Sequence, residues 1–257
     1  MPELRRLTVV LPTYNEAENL PRMVDALLAL QLPVTRLSIL VVDDASPDGT
    51  GRLADELAAR PTGRVAVLHR AVKEGLGKAY LAGFARALAD GADLVLQMDC
   101  DFSHPPRFVP VLLAALPGAD MVLGSRFAPG GKVDENWAWY RKLLSWFANS
   151  VYVRVILHST LRDMTGGFRL WRAETLRGMD IQRRISANGY VFQVEMAYVA
   201  QRLGYVVKEV PIEFPDRVAG ESKMSVAIQI EAARRTWEVR KQHRALTPAD
   251  RDARGPR

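Results

Sequence analysis

Short apolar runs alternate with segments of helical period through the first half of the chain, and that alternation restricts the fold more than any other feature. Leu7–Leu11, Leu37–Val42, Val65–Leu68, Leu94–Met98 and Met121–Leu123 read as buried strands. Between the first two, Ala17 to Leu30 places Leu20, Met23, Val24, Leu27 and Leu28 at helical spacing. Helices are also predicted from about Thr50 to Arg60, capped by Thr50 or Asp48, from Gly77 to Ala89, and from Pro106 to Ala115. Strands and helices joined in this way by short turns call for an α/β fold, a Rossmann-like, mostly parallel sheet covered by helices on both faces. In such sheets ligands bind beyond the carboxyl ends of the strands. Tyr14-Asn15-Glu16, Asp43-Asp44 and the pair Asp99 and Asp101 all fall at those ends.

Beyond residue 130 the pattern changes. Trp137 to His158 is rich in aromatic and aliphatic residues, with Arg141, Ser145 and Asn149 four apart along a narrow polar face. It reads as an amphipathic helix lying in a membrane interface, with Arg141, Lys142 and Arg154 able to snorkel, or else as a core helix or a protein interface. A loop at Asp163 to Arg169 precedes a helix at Val191 to Leu203 and a strand at Val206 to Val210; a last helix runs from about Val226 to Arg240. Residues 1–240 are expected to form one domain, and 241–257 a loose polar tail. No apolar stretch reaches the roughly 17–25 residues that a bilayer crossing needs, and the N-terminus lacks a signal-peptide layout.

The chemistry concentrates at the tip of the fourth strand. Asp99 and Asp101, one residue apart after an apolar strand, can share a hard divalent cation that grips a diphosphate. Ser103 lies near enough to meet that ion directly or through water, or else caps a helix; His104, before two prolines, reads as structural. Asp44 can accept hydrogen bonds from a base or ribose, or cap the turn into the next helix. Pro12 and Tyr14 can wall a nucleobase, with Glu16 reaching base or ribose. Arg126 follows the fifth strand at the same edge and can pair with phosphate. Arg217 and Lys223 lie in a glycine-containing loop able to close over a donor. Gly75-Leu76-Gly77-Lys78 lacks full phosphate-loop spacing and reads as a turn that starts a helix.

A net charge of +6 suits phosphorylated ligands, an anionic membrane surface or nucleic acid, without choosing among them. A non-catalytic nucleic-acid binder would show an aromatic-and-basic platform or a recognition helix, and neither is evident. The single cysteine, Cys100, excludes an internal disulfide and fits a reducing compartment.

Taken together, Leu11–Glu16, Val41–Thr50, Met98–Pro105, Gly124–Phe127, Asp163–Arg169 and Phe214–Arg217 through Ser222-Lys223 closely resemble the dolichol-phosphate mannosyltransferases. Their bacterial counterparts are called polyprenol monophosphomannose synthases; both belong to glycosyltransferase family two and have the GT-A fold. The resemblance spans about Leu7 to Ser225. It implies GDP-mannose as donor, a polyprenyl phosphate as acceptor and Mg²⁺ or Mn²⁺ as cofactor. It also implies that Pro12, Tyr14, Glu16, Val42 and Asp44 line the nucleotide pocket, and that Asp99, Cys100 and Asp101 meet the diphosphate. Asp101 and Ser103 would stand nearest the metal, and Arg126, Arg217 and Lys223 would hold phosphates, with Asp101, Arg126 and Arg217 as the catalytic set. Cys100 stands where the family often has alanine, and Gly166 where serine is frequent. A UDP-glucose-dependent lipid-phosphate glucosyltransferase of the same fold is the nearest alternative.

A phosphate monoester acceptor is already largely dianionic at neutral pH, its second pKa being about 6, so the reaction needs no general base. Asp163 is accordingly expected to be a structural partner of Arg169 rather than a base. Inversion to a β-linked product follows from the resemblance. The lipid acceptor places the protein at a membrane surface. A cytosolic donor places its site on the cytoplasmic face, and a membrane-anchoring protein partner is expected.

Overall fold

The computed structural model describes residues 5–134, 139–215 and 226–252. The chain opens with β1 (Arg6–Thr13), α1 (Leu20–Leu28), β2 (Arg36–Asp43), α2 (Thr50–Ala58) and β3 (Val65–His69). There follow α3 (Leu76–Ala89), β4 (Leu94–Gln97), α4 (Val109–Ala115), β5 (Met121–Ser125) and the short β6 (Lys132–Val133). Up to β5 each element lies within a few residues of the span its periodicity predicts. α5 (Trp139–Phe147) runs through a π-helical turn at Ala148–Val153 into α6 (Arg154–Leu157). The remainder is β7 (Arg169–Arg172), α7 (Ala173–Gly178), α8 (Ile181–Arg184), α9 (Tyr190–Arg202), β8 (Val207–Pro211), β9 (Glu213–Phe214) and α10 (Val226–His243).

Seven strands form one sheet in the order β3-β2-β1-β4-β7-β5-β8, and β6 pairs with β9 in a separate ribbon. All pairings are parallel except those of β7, which runs antiparallel between β4 and β5, with Gln97 opposite Arg169 and Val95 opposite Trp171. Local periodicity predicts no strand there. Arg169–Arg172 has only four residues with arginine at both ends, and its partners lie far away in sequence.

Alternation along the strands divides the core. Val10, Leu40, Val42, Val95, Leu123 and Trp171 face the layer of α3 and α9, while Val9, Leu11, Ile39, Val41, Leu96 and Leu170 face α1 and α4. α3 lies tight against the sheet. A Cβ on Gly83 would meet the Val10 side chain and come within 3.0 Å of Val42, so only glycine permits this approach. The close fit brings the start of α3 up to the carboxyl ends of β1 and β2.

Residues 242–252 are not the loose tail expected from the polarity of 241–257. α10 continues to His243, which is buried and hydrogen-bonded to Glu195 at 2.8 Å. Arg251 donates to the Leu203 carbonyl at 2.7 Å and stacks over Tyr205, and the Asp252 amide donates to the Gly178 carbonyl. Arg251, one of the charges that make this stretch look solvated, satisfies the Leu203 and Gly204 carbonyls instead. Trp139, Leu143, Leu144, Trp146, Phe147 and Val155 stand exposed along α5 to α6, and no described helix is long and apolar enough to cross a membrane. Trp137 and the side chains of Arg141, Lys142 and Asn149 lie outside the described residues.

Candidate active site

The three acidic or polar strand tips meet at one sheet edge, and each carries a non-glycine residue in the left-handed region. These are Asn15 after β1 (φ 60), Ala45 after β2 (φ 59) and Phe102 after β4 (φ 63). Such backbone costs about 1–3 kcal/mol per residue and persists where surrounding contacts enforce it, typically at functional sites. Those contacts are visible. The Asn15 amide donates to Ser46 Oγ, the Glu16 amide to Thr50 Oγ1 and the Ala17 amide to Asp48, tying the first tip to the second.

Asp44 is buried and salt-bridged to Arg70 at 2.6 Å, and it accepts the Gly75 amide at 2.9 Å. It therefore caps the turn into α3 rather than the turn into α2, where Asp48 instead accepts the Thr50 amide. That turn is closed from the far side by Asn188, whose side chain accepts the Gly77 amide and donates to the Glu74 carbonyl. The glycine turn thus starts α3, as its spacing predicts. Tyr14 is half-buried with Lys73 Nζ 3.5 Å over its ring. Pro12 and Val42 are register partners, but the Val42 side chain is fully buried beneath α3, so any part it takes in a pocket is through its backbone.

At the tip of β4, Asp101 Oδ1 accepts both the amide (3.0 Å) and the hydroxyl (2.6 Å) of Ser103. Ser103 therefore orients Asp101 and caps no helix. Asp99 Oδ1 accepts the Tyr80 phenol at 2.8 Å, and burial beside that carboxylate pushes the phenol pKa well up, fixing Tyr80 as a donor. The Asp99 amide donates to His104 Nδ1 at 2.9 Å, and burial pulls the imidazole pKa down, so His104 is a neutral packing group stacked on Phe168. Cys100 is buried and its thiol pKa is pushed up by burial, which leaves only its backbone to offer. Mg²⁺ is commonly held by one or two carboxylates plus substrate phosphates rather than by an all-protein cage. Asp99 and Asp101 offer two carboxylates of that kind, oriented by Tyr80 and Ser103; among the described residues there is no group of three or more metal-binding side chains.

Arg126 and Asp163 form a bidentate pair at 2.6 and 2.8 Å, and Thr165 accepts a third bond from the guanidinium. Burial disfavours the Arg126 charge, but Asp163 outweighs it, and the net pKa is raised. This corrects the expected Asp163–Arg169 partnership. Arg169 is wholly buried and donates to the carbonyls of Gly166 and Met164, and burial lowers its pKa to about 9. Arg169 touches the carboxylate only through space. Arg217 and Lys223 lie outside the described residues. Tyr80, Arg70, Lys73 and Asn188 escape the sequence reading. Only Tyr80 leaves a trace, as a phenol among the small and apolar residues of α3.

A mostly parallel sheet with one antiparallel strand set beside an acid-tipped β4 is the architecture of the GT-A glycosyltransferases. A model of the family described as glycosyl transferase family 2 matches residues 8–178, and the chain belongs to that family. It is 49% identical over 227 residues to an undecaprenyl-phosphate mannosyltransferase of Micrococcus luteus, covering 88% of this chain and 90% of that one. It is 46% identical over 222 residues to a polyprenol monophosphomannose synthase of Mycolicibacterium smegmatis, covering 86% and 82%. Among solved structures, glucosyl-3-phosphoglycerate synthase of Mycobacterium tuberculosis with Mn²⁺ and UDP-glucose superposes with a TM-score of 0.63 at 21% identity, over 93% of this chain and 79% of that one. At that identity the likeness concerns the fold.

Proposed function

We propose that this protein transfers mannose from GDP-mannose to the phosphate of a membrane-borne polyprenyl phosphate, with inversion, to give a β-linked mannosyl lipid. The observation that carries the reading is the acid-tipped β4 in a chain nearly half identical, over most of its length, to enzymes named for mannosyl transfer to polyprenyl phosphates. A phosphate oxygen of the acceptor forms the new bond to the anomeric carbon while the bond to the donor diphosphate breaks, and GDP departs. With an acceptor already ionised, the protein's work is alignment and charge stabilisation. A Mg²⁺ or Mn²⁺ ion, when bound, acts as a Lewis acid toward the leaving diphosphate. Asp99 and Asp101 would hold it, Tyr80 and Ser103 fix the two carboxylates through their hydrogen bonds, and Pro12, Tyr14, Glu16 and Asp44 would border the nucleoside. Arg126 keeps Nε and Nη2 on Asp163 and Thr165 and turns Nη1 to phosphate, joined by Arg217 and Lys223. The donor is a cytosolic metabolite, so the site faces the cytoplasm, and a protein partner adds to the anchoring that the exposed α5–α6 face supplies.

The test is a transfer assay with labelled GDP-mannose or UDP-glucose and undecaprenyl phosphate, with and without chelator. Label should enter the organic phase from GDP-mannose only, and chelation should abolish it. Lipid labelled from UDP-glucose alone would overturn the donor assignment. Tyr80→Phe tests the support of Asp99. Loss of such an outer contact costs about 10–100-fold in metal affinity or activity, so the metal concentration for half-maximal transfer should rise by that order. An unchanged metal requirement would remove Tyr80 from the site.

A further inference from the structure

A cavity of about 430 Å³ opens between the C-terminal ends of α6, α9 and α10, a size within the roughly 300–1,000 Å³ of small-ligand clefts. Leu157 and Tyr198, both buried, form its floor, and Arg202, Arg240, Arg244 and His158 form its rim. It is separate from the acidic edge. The N-terminal end of α9 lies beside Asn188 at the glycine turn, whereas Arg202 ends the same helix about 20 Å away at 1.5 Å per residue.

Arginines at helix C-termini have an ordinary role, and Arg202 fills part of it by donating to the carbonyls of Arg244 and Leu246. Two observations exceed that role. Arg202 Nε is buried without a hydrogen-bond partner. Arg240 on α10 and Arg244, one residue past its end with its amide on the Arg240 carbonyl, also stand four residues apart, a like-charge spacing that is unfavourable by itself. Elsewhere arginines at this spacing are matched by acids, as in Arg52–Glu56, Arg86–Asp90 and Arg234–Glu238. Among the described residues none of the three cavity arginines pairs with a carboxylate, and Arg240 instead donates to His158 Nε2 at 3.0 Å.

The surroundings indicate where an anion would come from. Trp237 and Arg240 share one face of α10, with the Arg240 guanidinium 5.9 Å from the Trp237 ring, and Arg244 follows just past the end of the helix. Trp237 is exposed, as is Val155 on the adjoining α6, and the exposed apolar residues of α5 continue the same helical run. Cations bordering an exposed aromatic and aliphatic band match the layering of a membrane surface, headgroup above and acyl boundary below.

We propose that this cavity binds the phosphodiester headgroup of an anionic phospholipid, docking the protein on the bilayer through a site separate from the catalytic edge. The proposal rests on the reading of the protein as a membrane-surface enzyme and adds how it docks. Three guanidiniums without a carboxylate leave a net positive site that an anionic headgroup neutralises and a zwitterionic one does not.

Co-sedimentation of the full chain with phosphatidylglycerol–phosphatidylcholine vesicles, against pure phosphatidylcholine vesicles, tests it. Arg240→Gln/Arg244→Gln should weaken binding to anionic vesicles roughly thirtyfold, at the usual contribution of a basic residue near such a surface. Arg52→Gln/Arg86→Gln, which changes net charge equally at carboxylate-paired positions on α2 and α3, should lose far less. Arg244→Gln alone, at an exposed position, should retain the wild-type melting curve and lose about fivefold. Equal losses in both double variants, equal binding of wild type to neutral vesicles, or full displacement by soluble glycerol 3-phosphate would each overturn the proposal. A parallel GDP titration reports on the acidic edge alone, so a failed donor site and a failed docking site give different results.

Discussion

Asp101→Asn should lower mannosyl transfer by about 10²–10³-fold, the scale on which removing one directly placed electrostatic group acts, while leaving the fold intact. Asparagine keeps the oxygen that accepts the Ser103 amide and hydroxyl, so the turn that holds Phe102 at positive φ survives. What disappears is half the anionic charge of the pair at the tip of β4. Two measurements separate the consequences. Calorimetric titration of GDP in the presence of Mn²⁺ should show metal-dependent affinity lost, and thermal unfolding should stay within a few degrees of wild type. Asp101→Ala, which also strips the acceptor for Ser103, should lose the same activity and some stability in addition. Activity within tenfold of wild type in Asp101→Asn would remove the metal from this tip, and with it the proposed placement of the diphosphate. Tyr80→Phe, acting one contact further out, provides the internal scale, because its effect should be the smaller of the two.

How much of this was legible in the sequence follows from the range of the forces involved. The strands and helices up to β5 are set by local apolar periodicity, so β1 to β5 and their acidic tips could be read directly. β7 could not. Its four residues are stabilised by pairing with β4 on one side and β5 on the other, and nothing local in Arg-Leu-Trp-Arg announces two distant neighbours. The tail failed for a related reason, because the value of Arg251 or His243 depends on whether a carbonyl or a buried glutamate waits across the fold. Within the proposed site, residue type and strand-end position single out Asp99, Asp101 and Arg126, and the structure sets all three at the ends of β4 and β5. Their supports were missed. Tyr80 sits on α3, and the bidentate partner of Arg126 was wrongly assigned because proximity along the chain favoured Asp163 with Arg169. Proximity in space favours Arg126.

That reassignment carries the largest expected effect on stability. Asp163 is wholly buried, and Arg126 meets it through Nε, Nη2 and its own amide. Removing one partner of a buried pair costs about 3–5 kcal/mol, because the other charge is left uncompensated. Here Asp163 compensates two cations. Arg169 lies within its field, has an Nη1 without a partner, and already holds its proton weakly through burial. Asp163→Asn therefore strands both guanidiniums in one core, and the loss belongs at the upper end of that range. For a chain of this size about 1 kcal/mol corresponds to roughly 2–4 °C in Tm, so melting should fall by roughly 10–20 °C. Arg126→Met/Asp163→Leu, which removes the pair together, should recover much of that stability because apolar replacement of a buried pair is often neutral or better. It should not recover transfer, since Arg126 Nη1 is gone. If Asp163→Asn unfolds within about 1 kcal/mol of wild type while losing transfer completely, the carboxylate is acting on substrate rather than on two arginines. Asp163 would then have to be assigned as a base after all.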